Sequence, residues 1–551
     1  MAIRLQPDLL FGLPGSMDDG NYHATLDGHG LYNTFQFVLR LSPAVHRKIA
    51  ELPSGIVTSS NAGFEGAQAF STFLHETIHW WQHVGSTYGL MLSLSYPTQT
   101  HANYTHLKEL IQRSGFQKSV RELALALPGQ STVDNVSGLA NRIVNNHFDF
   151  GAFRALTHSV NSAKTVVGDP LFESIGHAHE IAYGNNVLVL AATADPDFKV
   201  LQHPREWEES FHALRDERET GFYFGSPVTL WGIGARDIFE GQACFAQMQY
   251  LAFASGGSLE LDDFKAMGML HGVYEAAFDL FLKTTQLDRP APVIHPTVGL
   301  FLLVCDMAIN PGSGFPYGIS PHYRSFITDT DPGARFLTLA TLVRLKCPAT
   351  ATAIQDYSRQ EYVAVTEELA RHALNASPLT IAATCSDWVK EGAPLHGLME
   401  EYHSFNFEPG NVPVRVLLSH FLAFMQDKLK TPEFFCWPGA WMAGERVSEE
   451  ASVLFDRHGA LFVDKEDDDG VFPRLVTGRD ESAVQKVFES FYAANLTYDM
   501  TDQWIRHSGP FTYKFRWLSQ NGSHKDIKAF ADRHFEMVFG VKPDDAKIPS
   551  M

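Results

Sequence analysis

The segment His75-Glu76-Thr77-Ile78-His79 combines two metal-binding side chains with an acid at a fixed spacing. On an α-helix, residues i and i+4 lie on one face about 6 Å apart, so His75 and His79 can each offer a ring nitrogen to one metal ion. Glu76 lies about 100° further round the helix, where its carboxylate can reach a water molecule bound to that metal and act as general base. The spacing therefore predicts a metal-dependent hydrolase.

The residues around this segment favour a helix. A largely apolar stripe recurs at three- and four-residue steps and is formed by Phe70, Phe73, Leu74, Thr77, Ile78 and Trp81. Neither glycine nor proline occurs between Ala67 and Val84, and Gly85 is a natural helix stop. We therefore predict one helix that carries both histidines and ends at Gly85.

A catalytic metal ion generally has a third protein ligand and keeps a fourth position open for water. His83 continues the i+4 series of the two histidines. It lies about 12 Å from His75 along the helix axis, however, which is too far for one ion to span without a break in the helix. We therefore expect His83 to face the substrate or to support the ligands.

A better third ligand lies far downstream, in a helix predicted from Arg236 to Ala254. Small residues share the face of this helix with Glu240, so a second helix could approach closely. Glu240 could then bring its carboxylate to the ion held by His75 and His79. The competing interpretation is a glutamate near the start of a helix, which the helix dipole stabilises without any metal.

The two segments His75-Glu76-x-x-His79 and Glu240-Gly241-Gln242-Ala243 together resemble the gluzincin type of zincin metallopeptidases. In that family a glutamate on a second helix is the third zinc ligand. The resemblance is limited to these two segments. It implies a zincin-like core in which His75, His79 and Glu240 bind one Zn²⁺ ion per chain and Glu76 activates the water that attacks an amide carbonyl.

The same residues allow two kinds of iron site. Glu76 and His79 form a Glu-x-x-His unit, which carboxylate-bridged di-iron bundles use in two copies, and Glu400–His403 is a nominal second copy. Its polar setting is more typical of an exposed helix end, and a di-iron site leaves His75 without a purpose. A mononuclear Fe²⁺ oxygenase is a further alternative, because ligand types alone do not separate iron from zinc.

A third class is a non-enzymatic scaffold in which the motif helix is structural or vestigial. The intact Glu76 argues against a site that has lost its water-activating group. We therefore favour a zinc-dependent hydrolase, specifically a metallopeptidase that acts on a peptide or protein substrate, with Glu76 as the catalytic base.

Other polar residues carry weaker signals. His177, His179 and Glu180 are close in sequence, but the two histidines point to different faces of a helix. Hydrolysis of an amide also needs a hydrogen-bond donor for the developing oxyanion. The sequence offers four donors without separating them, namely His271, Tyr274, Tyr250 and Arg236.

Composition and spacing predict a mainly α (α+β) fold. The alternating segment Tyr32–Arg40 and the β-branched segment Gly55–Ser60 predict a small N-terminal sheet beside the motif helix. About 160 residues separate His79 from Glu240, so we expect a large helical insertion at about 85–230.

Proline-rich breaks after residue 288 favour a domain boundary. We predict a zincin-like, metal-binding catalytic domain at 1–310. A mostly helical C-terminal region of unknown role follows at 335–551, with an acidic loop at 464–470.

The charge balance argues against nucleic acid as a partner. The chain has 63 acidic and 43 basic residues, a net charge of −20, and contains no dense basic block. Neutral or basic peptides suit this overall field better.

The remaining composition predicts a cytoplasmic protein without a membrane partner. The five cysteines are odd in number, widely spaced and free of C-x-x-C pairs, which is typical of reduced thiols. Residues 1–8 lack the pattern of an export signal. The longest apolar run, Val298–Ile309, contains Asp306 and is too short and too polar to cross a bilayer.

Overall fold

The computed structural model describes residues 5–10, 30–58, 63–127, 135–319, 323–476, 478–519 and 521–548. Helices dominate these residues, and they are accompanied by one four-stranded sheet. The prediction of a mainly α fold with a small sheet is therefore confirmed.

The helices up to the predicted third ligand are α1 (Pro7–Leu10), α2 (Pro43–Ile49), α3 (Phe64–Val84), α4 (Thr87–Ser114), α5 (Val120–Ala126), α6 (Val136–His158), α7 (Val160–Val167), α8 (Ile175–Ala194), α9 (Arg205–Asp216) and α10 (Ala235–Ala254). The helices that follow are α11 (Leu261–Ala266), α12 (Val273–Thr285), α13 (Pro296–Ala308), α14 (Phe326–Thr330), α15 (Pro332–Leu345), α16 (Arg359–Ala373), α17 (Pro378–Glu391), α18 (Ala393–Ser404), α19 (Val412–Lys430), α20 (Pro432–Cys436), α21 (Pro438–Met442), α22 (Glu449–Arg457), α23 (Glu481–Arg506) and α24 (His524–Phe539). Short 3₁₀ helices occupy Tyr323–Ser325, Pro348–Thr352 and Pro543–Asp545.

The motif helix forms as predicted. Helix α3 spans Phe64–Val84, and Gly85 follows it. A Cβ atom at Gly85 would lie 2.6 Å from the Phe424 ring, so glycine allows this helix end to pack closely against α19. Ser86 then caps α4 by accepting a hydrogen bond from the backbone of Gly89. The chain therefore passes from α3 into the predicted helical insertion within two residues.

The sheet joins two distant parts of the chain. Its strands are β1 (Gly30–Asn33), β2 (Val38–Leu41), β3 (Phe462–Lys465) and β4 (Asp468–Pro473), in that order across the sheet. Strands β1 and β2 form one antiparallel hairpin, β3 and β4 form another, and β2 pairs in parallel with β3. The sheet beside the motif helix therefore takes only two of its four strands from the N-terminal region, which corrects the prediction of a purely N-terminal sheet.

Three strand and loop predictions are wrong in detail. Tyr32–Arg40 contains two strands, because the Asn33 side chain accepts hydrogen bonds from the next residues and Phe37 adopts a positive φ of 56°. In Gly55–Ser60, Val57 makes a single bridge to Ala443, and residues 59–60 lie outside the described part. The acidic segment 464–470 forms most of the β3–β4 hairpin, where Asp464 is buried and accepts the backbone N–H of Leu41.

Helix α3 lies at the centre of the molecule. It packs against α10 on one side and against β1, β2 and α19 on others. Nearly all of its side chains are buried. A large hydrophobic core runs from the N-terminal strands to α23, and a second core joins α4, α5 and α6 to α23 and α24. The site residues on α3 are therefore held by rigid, buried surroundings.

The five cysteines are free and buried. Among the described residues, no helix is long and apolar enough to cross a membrane.

Candidate metal centre

Two helices bring the predicted ligands together. His75 and His79 lie one turn apart on α3, and Glu240 lies on α10, which packs along α3. The Nε2 atoms of His75 and His79 are 3.2 Å apart. Glu240 Oε2 lies 3.5 Å from His75 Nε2 and 3.3 Å from His79 Nε2. These three atoms form a nearly equilateral triangle.

The size of this triangle fits a zinc ion. Tetrahedral Zn²⁺ binds nitrogen and carboxylate oxygen at about 2.0–2.2 Å, which places neighbouring ligand atoms about 3.3–3.6 Å apart. The separations of 3.2–3.5 Å between the three atoms are close to those of three corners of such a tetrahedron. The donor set of two imidazoles and one carboxylate also suits zinc.

Side-chain amides fix the orientation of both rings. His79 Nδ1 lies 2.8 Å from Gln82 Oε1, and the Gln82 amide nitrogen donates to the backbone carbonyl of Phe239. His75 Nδ1 lies 3.1 Å from Gln247 Oε1. An amide oxygen can only accept a hydrogen bond, so each Nδ1 must carry a hydrogen. The Nε2 atoms of the neutral rings then present lone pairs to Glu240 and to each other.

These two Nε2 atoms and the Glu240 oxygen are all acceptors, and three acceptors this close together need a cation or a proton between them. Burial lowers the pKa of His79, but the Glu240 carboxylate outweighs burial and raises that pKa to about 9. Burial alone would raise the pKa of Glu240, yet His79 and His75 hold it well below its usual range. In metal-free protein a proton is therefore retained among these side chains at neutral pH, and a metal ion has to displace it.

Glu76 lies buried beside the three ligands. Burial raises the pKa of its carboxyl group, although His75 and His79 act in the opposite direction and the backbone N–H of Tyr32 donates a hydrogen bond to it. A Cβ atom at Gly30 would lie 2.5 Å from Glu76 Oε1, so a larger residue there would displace the carboxylate. Strand β1 therefore positions the predicted base.

A cavity of about 340 Å³ opens beside the ligands. His79 and Glu240 form part of its wall, so a metal ion held by them would face this space. The volume is at the lower end of the range of about 300–1,000 Å³ that is usual for small-ligand pockets. Arg154, Arg236 and His158 also line the cavity.

His83 lies outside the ligand triangle and lines the same cavity. Burial lowers its pKa to about 3, so the ring is neutral. It packs between the rings of Tyr32 and Phe239, with centroid distances of 5.4 and 5.3 Å. These contacts fix the position of His83 in the cavity wall.

The second histidine cluster is not part of this site. His177 pairs with Asp149, and His179 Nδ1 lies 2.9 Å from the carbonyl of Ile175. Glu180 forms an ion pair with Arg215. Each of the three side chains has a structural partner of its own.

The structure does not assemble the di-iron alternative among the described residues. Glu400 and His403 are exposed on α18, and Glu401 pairs with Arg415 at 2.8 Å. The groups of three possible ligands in the described part are His75, His79 and Glu240, and a peripheral set of Cys347, Glu368 and His372. The Glu400–His403 unit belongs to neither.

Of the four possible oxyanion donors, Tyr274 lies beside His75. Its ring centroid is 6.1 Å from that of His75. Burial raises the pKa of its hydroxyl, and the Glu240 and Glu76 carboxylates raise it further, so it stays a donor. Tyr250 donates instead to the carbonyl of Gly55, and His271 Nδ1 lies 2.5 Å from the carbonyl of Gly268.

Several residues of the site carry no motif of their own. Gln247 follows Glu240 by seven residues, two helical turns on one face, and this spacing was the one sequence signal that could have identified it. Gln82 follows His79 by three residues on the same helix. Gly30, Tyr32 and Arg154 reach the site through tertiary packing, which no local pattern encodes.

Comparisons of the full chain with protein-family models, with curated proteins and with solved structures give no significant match. The resemblance to gluzincins stays limited to the two motif segments. A function for this protein therefore has to be inferred from the chemistry of the site.

The amide partners of the histidines give a first testable prediction. We expect Gln247→Ala to weaken metal binding about 10- to 100-fold, because His75 then loses the acceptor that fixes its ring. Competition with a chelator of known affinity measures the effect. Gln249→Ala is the matched control, since Gln249 is also buried on α10 but makes no hydrogen bond to His75 or His79 in the described structure. Equal metal affinity in both variants would contradict this role of Gln247.

Proposed function

We propose that this protein is a zinc-dependent hydrolase, and specifically a metallopeptidase with a gluzincin-like metal centre. His75, His79 and Glu240 hold the ion, and Glu76 is the general base. The observation that carries the proposal is the convergence of two imidazole Nε2 atoms and one carboxylate oxygen to within 3.2–3.5 Å of each other. Three acceptors at this spacing are stable only around a shared cation or proton.

The chemistry follows from the placement of Glu76. Bound zinc would supply a water of lowered pKa and polarise the carbonyl of the scissile bond. The Glu76 carboxylate takes the proton of the attacking water and returns it to the leaving amine. Burial raises the pKa of the Glu76 carboxyl towards neutral pH, which suits a group that both accepts and donates a proton. Tyr274, whose ring lies beside His75, is the proposed donor to the oxyanion.

A hydrolase explains more of the site than an iron oxygenase does. Two histidines and a glutamate also form the ligand set of mononuclear iron enzymes. Such an enzyme, however, gives no purpose to a buried carboxyl beside the ligands and against strand β1. In a hydrolase, by contrast, this carboxyl is the base that activates the attacking water.

Metal analysis of the purified protein and of two ligand variants tests the proposal. The parent should carry one zinc ion per chain. His79→Ala and Glu240→Ala should each lose more affinity than the about 10- to 100-fold expected for a supporting residue, because each removes a ligand atom. His177→Ala is the control, since His177 pairs with Asp149 away from the site.

Each alternative predicts a different result. If Glu240→Ala binds zinc as tightly as the parent, the third ligand is wrongly assigned. Two iron ions per chain would support a di-iron site, and one iron ion would support a mononuclear oxygenase. A protein that purifies without stoichiometric metal and binds none would be a scaffold.

A further inference from the structure

The cavity beside the ligands is basic in a protein that is acidic overall. Arg154 and Arg236 line it, and Glu240 is the one acid among its described lining residues. The Glu240 carboxylate is already directed to His75 and His79. A metal ion would add further positive charge at the same wall.

Neither arginine has an acidic partner among the residues that the structure describes. The Arg154 guanidinium donates to the carbonyl and hydroxyl of Ser95 and to the Gln99 amide oxygen, all of which are neutral. Arg236 makes no hydrogen bond or ion pair with any residue that the structure describes. Arg236 is an exposed residue, so its guanidinium can reach a ligand in the cavity that it lines.

The hydroxyl of Tyr32 is a further hydrogen-bond donor without a partner in the described structure. Tyr32 lines the cavity and is 7% exposed, and its hydroxyl has no hydrogen-bond partner in the described structure. A buried hydroxyl without a partner is energetically costly unless a ligand or water satisfies it. A bound anion can accept from Tyr32 and from arginine together.

We infer that this cavity binds a carboxylate of the peptide substrate, held by Arg236 and Tyr32 in the field of Arg154. This inference rests on the proposed peptidase function. Arg236 precedes Glu240 by four residues on α10, so it lies about 6 Å away on the same face. An extended peptide advances about 3.3–3.6 Å per residue. The carboxylate therefore belongs to a residue within about two positions of the scissile bond.

Two sources of this carboxylate are possible, an Asp or Glu side chain or the free C-terminus of the peptide. Both offer the planar pair of oxygens that a guanidinium binds through two parallel hydrogen bonds. The preference for acidic substrates opposes the one expected from the net charge of −20. The charges that line the cavity determine the substrate preference, because exposed charges more than about 8 Å away are largely screened at physiological salt.

Peptide cleavage by the zinc-loaded parent and by Arg236→Gln tests the inference. A peptide library identifies a cleaved sequence, and matched peptides then carry Asp or Asn, or Glu or Gln, at the two positions on each side of the scissile bond. Each peptide is made with a free and with an amidated C-terminus, which separates the two sources. The parent should cleave the carboxylate form with a kcat/KM about 10- to 100-fold above that of the amide form. Arg236→Gln should remove this ratio.

Two further variants support the comparison. Arg205→Gln is the control, because Arg205 is an exposed arginine in the first turn of α9 and has no ion pair in the described structure. It should keep the parent ratio. Arg236→Lys keeps the charge but loses the paired hydrogen bonds, and should retain part of the ratio.

Binding separates this inference from the proposed function. Zinc-loaded Glu76→Gln protein is titrated with the same matched peptides, and the carboxylate form should bind about 10- to 100-fold more tightly in a manner that depends on Arg236. Selective binding without any cleavage by the parent would overturn the peptidase and leave the carboxylate site standing. Cleavage with a ratio that Arg236→Gln leaves unchanged would overturn the carboxylate site and leave the peptidase standing. Neither cleavage nor binding would overturn both.

Discussion

Glu76→Gln protein is expected to bind one zinc ion per chain and to cleave peptides about 10²- to 10⁴-fold more slowly than the parent. Glutamine has nearly the same size and can accept the hydrogen bond from the backbone of Tyr32, so the local packing stays intact. It cannot take a proton from the attacking water, and this range is the usual contribution of a general base. Parallel measurements of kcat and bound zinc test the expectation.

The control for this change is Glu65→Gln, which alters an acid of the same helix that lies at the surface and pairs with Lys48. It should keep the activity of the parent. If Glu76→Gln also keeps that activity, another residue is the base. If it loses its zinc, Glu76 is needed to keep the ligands in place.

The second large effect concerns stability. We expect Lys428→Met to lower the free energy of unfolding by about 3–5 kcal/mol. Lys428 is 1% exposed and its Nζ lies 2.5 Å from Asp306 Oδ1, between helices α19 and α13. Without the lysine, Asp306 would be a buried negative charge with only the neutral groups of Tyr362 and Asn310 as partners. Chemical denaturation followed by circular dichroism measures the loss.

A neighbouring lysine provides a matched control. Lys430 follows on the same helix, its side chain is 72% exposed, and it pairs with Asp427. Lys430→Met should cost about 0–1 kcal/mol, because the lysine is solvated and Asp427 keeps Arg457 and His458 as partners. The double variant Asp306→Asn with Lys428→Met should recover much of the lost stability, because the buried charge is then gone. A single Lys428→Met variant no less stable than Lys430→Met would show that the buried pair contributes little.

Local patterns were sufficient for the helices that carry the site. The apolar stripe and Gly85 predicted the end of α3 correctly, and the helix predicted from Arg236 to Ala254 is observed as Ala235–Ala254. Both helices depend on contacts within a few turns, so periodicity and helix-stop residues contain the necessary information. The same reasoning led to His75, His79 and Glu240, three predicted ligands that the structure brings together.

The sheet could not be predicted in the same way. Its central pairing joins Val38 to Phe462 and Leu39 to Val463, more than four hundred residues apart. No local signal identifies such a partner. The charged residues at 464–470 favoured a loop in the sequence analysis, although this segment forms most of a hairpin in the structure. Tertiary context overrode the local composition there.

The basic cavity was also beyond prediction, since Arg154, Arg236 and Tyr32 come from three elements that meet only in the folded chain. Net charge led to the opposite expectation about substrates. A sum over the whole surface does not describe the field inside one small, partly enclosed space.

The sheet also has a consequence for the order in which the protein matures. Strand β1, which lies against Glu76, belongs to a two-stranded hairpin until β3 and β4 join it. An isolated hairpin is marginally stable at best. At roughly 5–20 residues per second, a ribosome makes residues 462–473 some tens of seconds after Glu240. The nascent chain therefore contains all three predicted ligands well before the strands that complete the wall beside Glu76 have been made, and the proposed activity would require most of the polypeptide to be translated.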